Sequence, residues 1–191
     1  MHGVLPYPLQ ATLYCWFALE VALVVRDLTR GRARLGTDRG TRGLVAVSLG
    51  GSVVLGSVLR TWVPVLDTPV PLAFAVAGLV VVWAGLAVRV WAVLALGRAF
   101  STFVQVDADQ TVVTRGPYRW VRHPSYTGLL LIAIGFGIAA RNWLSLVVCA
   151  VVPVLGLLPR IAVEESELVR VLGEPYRGYQ ARTRRLLPGV W

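Results

Sequence analysis

The sequence predicts an all-α integral membrane protein with about five transmembrane helices and a cytoplasmic helical carboxy-terminal segment. Three observations carry that prediction. Charged residues make up 15% of the 191-residue chain and hydrophobic ones 56%, with a mean hydropathy of +0.66, whereas soluble domains hold about 25% charged residues. The apolar residues fall into runs of membrane-crossing length rather than the alternation of a half-buried strand. All nineteen basic residues are arginine, and most lie in the segments between the runs. The net charge of +9 therefore reads as membrane orientation and not as a nucleic-acid surface. A soluble globule is excluded.

The first run covers residues 9–25 and carries Glu20 near its middle. It has no basic leader and no small-residue cleavage site after it, so it is expected to stay in the mature protein. Arg26, Arg30, Arg32, Arg34, Arg39 and Arg42 follow; this excess of positive charge predicts a cytoplasmic loop and an amino terminus outside. The second run, 43–59, spaces Ser48, Ser52 and Gly56 one turn apart, as close packing of membrane helices requires. The third, 72–96, is long enough to tilt or protrude and holds Arg89 near its inner end, where a snorkelling or cavity-facing position is expected. Glu20 is expected to pack against Arg89 or water. The fourth run, 127–140, is short, and a tight Arg141-Asn142 turn joins it to the fifth, 143–158. Five crossings put the carboxy terminus inside. Sixteen of the nineteen arginines then lie on the cytoplasmic side, with Arg60 and Arg141 outside and Arg89 within the third run. Cys15 and Cys149 sit inside apolar runs with neither metal-ligand nor redox spacing and read as inert core residues. No metal site, Walker motif or dinucleotide glycine fingerprint is expected. The chain divides into a three-span scaffold, residues 1–96, and a second half, residues 97–191, that holds nearly all the chemistry; the two are expected to pack as one domain.

Two clusters carry that chemistry. The first runs from Arg115 to Gly128 at the inner mouth of the fourth span. Gly116-Pro117 breaks any incoming helix, and Pro124 holds His123 extended at a helix start. Arg115, Arg119, Arg122, His123, Tyr118 and Tyr126 surround that start, which suits a carboxylate or phosphate ligand. An interfacial anchor is the alternative, and it suits Trp120 and Arg119; His123 and Tyr126 read as site residues, because a histidine locked before proline gains nothing as an anchor. The second cluster, residues 159–168, follows the fifth span. Helix periodicity puts Arg160, Glu164 and Glu167 on one face, with Glu165 about a quarter-turn away. Glu167 reads as an ordinary surface ion-pair residue. Glu164 and Glu165 begin within two turns of the membrane, where carboxylates are costly and a cationic ligand would offset the cost.

Together these clusters resemble the superfamily of isoprenylcysteine carboxyl methyltransferases and phospholipid methyltransferases. The resemblance rests on Arg122-His123-Pro124-Ser125-Tyr126-Thr127-Gly128, on Glu164-Glu165, on Gly116-Pro117-Tyr118 and on the tail Gly173-Glu174-Pro175-Tyr176-Arg177-Gly178-Tyr179, and covers about residues 97–191. It implies a membrane-embedded methyltransferase that binds S-adenosylmethionine on the cytoplasmic side of the last two helices and takes a lipophilic acceptor from the bilayer, among membrane lipids. The implied cofactor residues are Tyr118, Arg122, His123, Tyr126, Gly128 and Glu165, with Gln105 and Val106 as backbone contacts. Arg160, four residues before Glu164, matches an arginine of the isoprenylcysteine branch, which implies that this pair serves the acceptor, a prenylated cysteine carboxylate or a similar isoprenoid-bearing molecule. Two rival readings are a phospholipid amine N-methyltransferase, with Glu164 as base, and a membrane enzyme similar to sterol reductases, which binds NADPH.

Overall fold

The computed structural model describes residues 7–30, 40–69, 71–104, 106 and 110–189. These residues form six α-helices with short 3-10 turns and two isolated backbone bridges between them. In chain order they are α1 (Tyr7–Thr29), α2 (Thr41–Trp62), α3 (Pro71–Leu96), α4 (Pro124–Ala139), α5 (Trp143–Leu172) and α6 (Glu174–Arg182). Four of them, α1, α2, α3 and α5, are long and apolar enough to cross a membrane. At 16 residues, α4 spans only about 24 Å at about 1.5 Å per residue, short of the roughly 30 Å hydrocarbon core. It packs along α3 on one side and α5 on the other, so its ends are covered by protein and its short length is tolerated. The outward faces of the long helices show Phe17, Val47, Val80, Leu94, Val147 and Leu155, side chains whose solvent is lipid.

Small residues decide how near the helices come. On α3, Gly78 and Gly85 lie two turns apart and meet Gly135 and Gly128 of α4; a Cβ on Gly85 would stand 2.7 Å from the Gly128 carbonyl oxygen. Bare backbones therefore touch along this seam, where each extra atom would push the helices apart. The expected stripe of Ser48, Ser52 and Gly56 is the seam between α2 and α5: Ser145 Oγ donates to the Gly56 carbonyl at 2.6 Å, and Cys149 Sγ lies 3.3 Å from the Ser52 carbonyl. Cys149 is a buried packing residue, whereas Cys15, expected in the core, is exposed on α1.

One boundary differs from the sequence reading. The fifth run ends near Pro159, but α5 continues for 30 residues through both Pro153 and Pro159. A proline inside a helix removes one backbone N–H and crowds the preceding turn. Here the tertiary packing carries the helix through: Pro153 is buried, and Leu157 and Ile161 on either side of Pro159 are packed with Leu186. Arg160, Glu164 and Glu165 thus ride on the same rod that crosses the membrane. Gly173, at φ 61°, ends that rod in the left-handed region that glycine adopts freely and redirects the chain into α6.

At the opposite end of the bundle Asn142 caps α5, accepting from the backbone N–H groups of Leu144 and Ser145 at 3.1 and 3.2 Å while its amide donates to Val63 O and Asp67 Oδ1, both at 2.9 Å. The α2–α3 connection and the α4–α5 turn are stapled together by this one side chain.

Candidate active site

The segment that precedes α4 is built as its prolines dictate. Gly116, at φ 59°, and Pro117 open a 3-10 turn through Arg119, and Pro124 occupies the first turn of α4 with His123 just outside it. The carboxy-terminal tail then holds this segment. Backbone N–H groups of Arg122 and His123 donate to the carbonyls of Arg184 and Arg185 at 2.7 and 3.0 Å. The Thr127 hydroxyl donates to Leu186 O at 2.7 Å, and the Tyr179 hydroxyl to Tyr118 O at 2.6 Å. Burial pushes the Tyr179 hydroxyl up to about 12 and raises that of Tyr118 well above its usual value, with the negative field of Glu164 adding to the latter. Both tyrosines are neutral donors at physiological pH.

Three ion clusters result. In the first, Glu165 is buried on α5 and ligated on both oxygens: Arg122 Nε at 2.7 Å and His123 Nε2 at 3.2 Å reach Oε1, and Arg185 Nε reaches Oε2 at 3.1 Å. Arg122 also donates to the carbonyls of Gln180, at 3.0 Å, and Thr183. In the second, the Tyr126 hydroxyl stands between two functional groups, donating to Glu164 Oε2 at 2.5 Å and accepting from Arg160 Nε at 3.1 Å. Arg160 is 3% exposed and is held further by Thr41 Oγ1 at 3.2 Å and Thr102 O at 2.9 Å. In the third, Glu20 forks the Arg89 guanidinium with two contacts of 2.6 Å, and Arg89 also bonds Ser125 Oγ. The pairing expected of Glu20 and Arg89 is present and ties α1 to α3 and α4.

These groups enclose a cavity of about 590 Å³. Leu13, Trp16, Phe17, Leu49 and Val53 form an apolar compartment between α1 and α2; Arg122, His123, Tyr126, Arg160 and Glu164 line the other part, together with Glu20 and Arg89. Of the residues singled out in the sequence, Val106 and Tyr118 also line it. Glu165 does not: it stands behind Arg122 and His123. Gly128 faces α3, where a Cβ would lie 2.8 Å from Gly85 O, so its visible role is helix packing. Gln105 lies outside the described residues. Glu167 pairs with Arg170 at the helix surface, Nε to Oε2 being 2.9 Å. Sequence reasoning missed Thr41, Thr102, Ser125 and Arg185. Ser125 fills the unspecified position of the segment from Arg122 to Gly128, the other three lie in no recognisable pattern, and each enters the site through tertiary contacts.

Fold and cavity define an integral membrane protein with a binding chamber whose one end is hydrocarbon-like and whose other end is a wall of cations, carboxylates and hydroxyls. The model of the isoprenylcysteine carboxyl methyltransferase family matches residues 76–170, about half of the chain. Curated relatives include the protein-S-isoprenylcysteine O-methyltransferase of Tribolium castaneum, 34% identical over 115 residues that make up 59% of this chain and 41% of that protein. The namesake enzyme of Xenopus laevis is 35% identical over 117 residues, 60% of this chain and 41% of that one. Protein-S-isoprenylcysteine O-methyltransferase A of Arabidopsis thaliana is 34% identical over 115 residues, covering 59% of this chain and 58% of the relative. The chain thus spans about two fifths to three fifths of the length of these relatives. A solved structure of the eukaryotic intramembrane Ras methyltransferase, an isoprenylcysteine carboxyl methyltransferase, superposes with a TM-score of 0.68 at 24% identity, over 96% of this chain and 67% of that one. The fold is shared.

Proposed function

We propose that this chain is a membrane-embedded methyltransferase that uses S-adenosylmethionine to esterify the carboxylate of an isoprenylated cysteine. One observation carries the reading: a single cavity joins the apolar compartment between α1 and α2 to the Arg160–Tyr126–Glu164 cluster. An amphipathic acceptor lays its hydrocarbon in the first and its carboxylate in the second. The family match over residues 76–170 supports the reaction class.

The residues present fit the cofactor. Arg122 offers a cation and His123 an imidazole beside it for an α-carboxylate, and Glu164 is the cavity-lining member of the glutamate pair, suited to an ammonium group. Tyr118 and Tyr126 add neutral hydroxyls, and Val106 and Gln105 are the expected backbone contacts. Thr102 Oγ1 is buried without a hydrogen-bond partner among the described residues, a polar atom that a bound ligand would satisfy. When bound, S-adenosylmethionine supplies a methyl group activated by the positive charge on its sulfur.

The protein's part is orientation and exclusion of water. A carboxylate acceptor is already ionised, so no side chain has to remove a proton. Arg160, fixed by Thr41, Thr102 and Tyr126, is the immobile cation that aligns it, and a planar guanidinium does so along two directions at once. Glu165 acts through Arg122 and His123 as a positioning residue, setting their side chains against the cavity. The shared Tyr126 hydroxyl couples the acceptor group Arg160 to the cofactor group Glu164. The apolar walls keep the site dry, which favours a displacement that joins a carboxylate to a cationic sulfur's methyl group and disperses both charges.

The test is a binding titration of the purified chain with S-adenosylhomocysteine and, separately, NADPH, followed by methyl transfer to a farnesylated cysteine analogue. Binding of S-adenosylhomocysteine alone and formation of a base-labile methyl ester are expected. Binding of NADPH alone would favour the reductase-like reading, and methylation of an aminophospholipid in place of the carboxylate would favour the N-methyltransferase.

A further inference from the structure

Thr102, a residue to which neither the sequence motifs nor the family resemblance gave a role, lies in the connection after α3. Its three polar groups are treated differently by the fold. The carbonyl accepts from Arg160 at 2.9 Å, and the backbone N–H donates to Asp27 Oδ2 at 2.6 Å. Asp27, in the last turn of α1, is 0% exposed, and its other oxygen is paired with Arg26 at 3.2 Å. Arg26 in turn donates to the carbonyl of Phe100 at 3.1 Å. Two consecutive residues of α1 therefore grip the strand of chain at positions 100 and 102 and fix the Thr102 peptide against Arg160. The hydroxyl alone is left buried without a partner among the described residues, while Thr102 and Arg160 line the same cavity.

An orphaned buried hydroxyl is costly, and a fold that pins the backbone on both sides of it while leaving it unmet has placed a donor for something that arrives later. The fixed cation bonded to the same residue is the Arg160 guanidinium, 2.9 Å from the Thr102 carbonyl. A hydroxyl and a guanidinium side by side present two donor directions to the two oxygens of one carboxylate. We propose that Thr102 is an acceptor-binding residue whose hydroxyl, held beside Arg160 by Asp27, hydrogen-bonds the carboxylate of the methyl acceptor. This deepens the proposed function and rests on its carboxylate acceptor.

The test compares Thr102→Val and Thr102→Ser in the full chain, titrated with a farnesylcysteine carboxylate, with its carboxamide and with S-adenosylhomocysteine. Valine keeps the shape and removes the hydroxyl. Because that hydroxyl has no partner among the described residues, Thr102→Val should keep the thermal midpoint of the wild type while weakening the carboxylate ligand about ten-fold. Affinities for the carboxamide and for S-adenosylhomocysteine should stay within roughly two-fold, and Thr102→Ser should recover most of the carboxylate affinity. Unchanged carboxylate affinity in Thr102→Val, an equal loss for the carboxamide, or a loss confined to S-adenosylhomocysteine would each overturn the assignment. If Thr102→Val fails to fold, Thr102→Ala is read against the same three ligands. A wild type that binds S-adenosylhomocysteine but neither farnesylcysteine compound would remove the acceptor reading itself, a result distinct from a wild type that binds them and a variant that does not care.

Discussion

His123 and Arg160, both lining the cavity, separate binding from turnover. His123 lines the cavity and is held by Glu165, whereas Arg160 is fixed at the junction with the apolar compartment. Losing a hydrogen bond to a charged group costs about 1.5 to 3 kcal/mol, roughly ten- to hundred-fold in affinity. His123→Ala should therefore weaken S-adenosylhomocysteine by that factor in a titration. Arg160→Lys should leave that affinity within a few-fold while lowering turnover sharply, since an ammonium cannot reproduce the bonds to Thr41, Thr102 and Tyr126 and misalignment is expensive in a displacement. Equal losses of cofactor affinity and activity in Arg160→Lys would assign it to the cofactor. His123, Arg160 and Glu164 were legible in the sequence because helix-breaking prolines and helical periodicity fix their local geometry. The order of the two glutamates around the cavity was not: Glu165 looks equally available until Arg185, twenty positions further on, is seen to close over its second oxygen.

At the scale of helices, the pairings α3 with α4 and α2 with α5 follow from where side chains are missing. A Cβ at Gly85 would meet three atoms of α4 at 2.7 to 2.9 Å, two of them backbone, while Gly50 on α2 has nothing within 4 Å. Gly85→Ala should destabilise the fold by about 1 to 3 kcal/mol, the range of overpacked cores, and lower the thermal midpoint in detergent. Gly50→Ala should not lower it, because alanine is the better helix former and meets no neighbour. Equal midpoints for the two variants would show that the α3–α4 seam opens without cost. The α2 stripe was readable from its one-turn spacing. The Gly78–Gly85 and Gly128–Gly135 seam was not singled out, since glycines two turns apart in apolar runs reveal no partner until the helices are side by side. The continuity of α5 through Pro159 was hidden for the complementary reason: local chemistry argues for a break there, and packing around Leu157 and Ile161 overrides it.

The whole molecule sorts its arginines by end, and that sorting makes orientation a single two-way question. Arg26, Arg122, Arg160 and Arg185 gather around the polar part of the cavity, with Arg42 over the Phe103 ring nearby. Arg60 ends α2 at the far side, where the Arg141 carbonyl accepts from the Thr68 backbone N–H at 2.9 Å and Asn142 staples the two connections together. One face thus carries many more positive charges than the other, and because alternate helices run in opposite directions, placing one connection places all of them. By the positive-inside rule that face is expected to be the cytoplasmic one. We therefore expect the polar end of the cavity to open inward and the Arg60 and Arg141 end to face outward. In a chain with Cys15 and Cys149 replaced, a membrane-impermeant maleimide added to intact cells should label Arg60→Cys and leave Arg30→Cys untouched until the membrane is opened. Labelling of Arg30→Cys from outside would invert the topology. A cofactor drawn from the cytoplasm could not then reach Arg122 and His123, and the proposed methyl transfer would lose its donor.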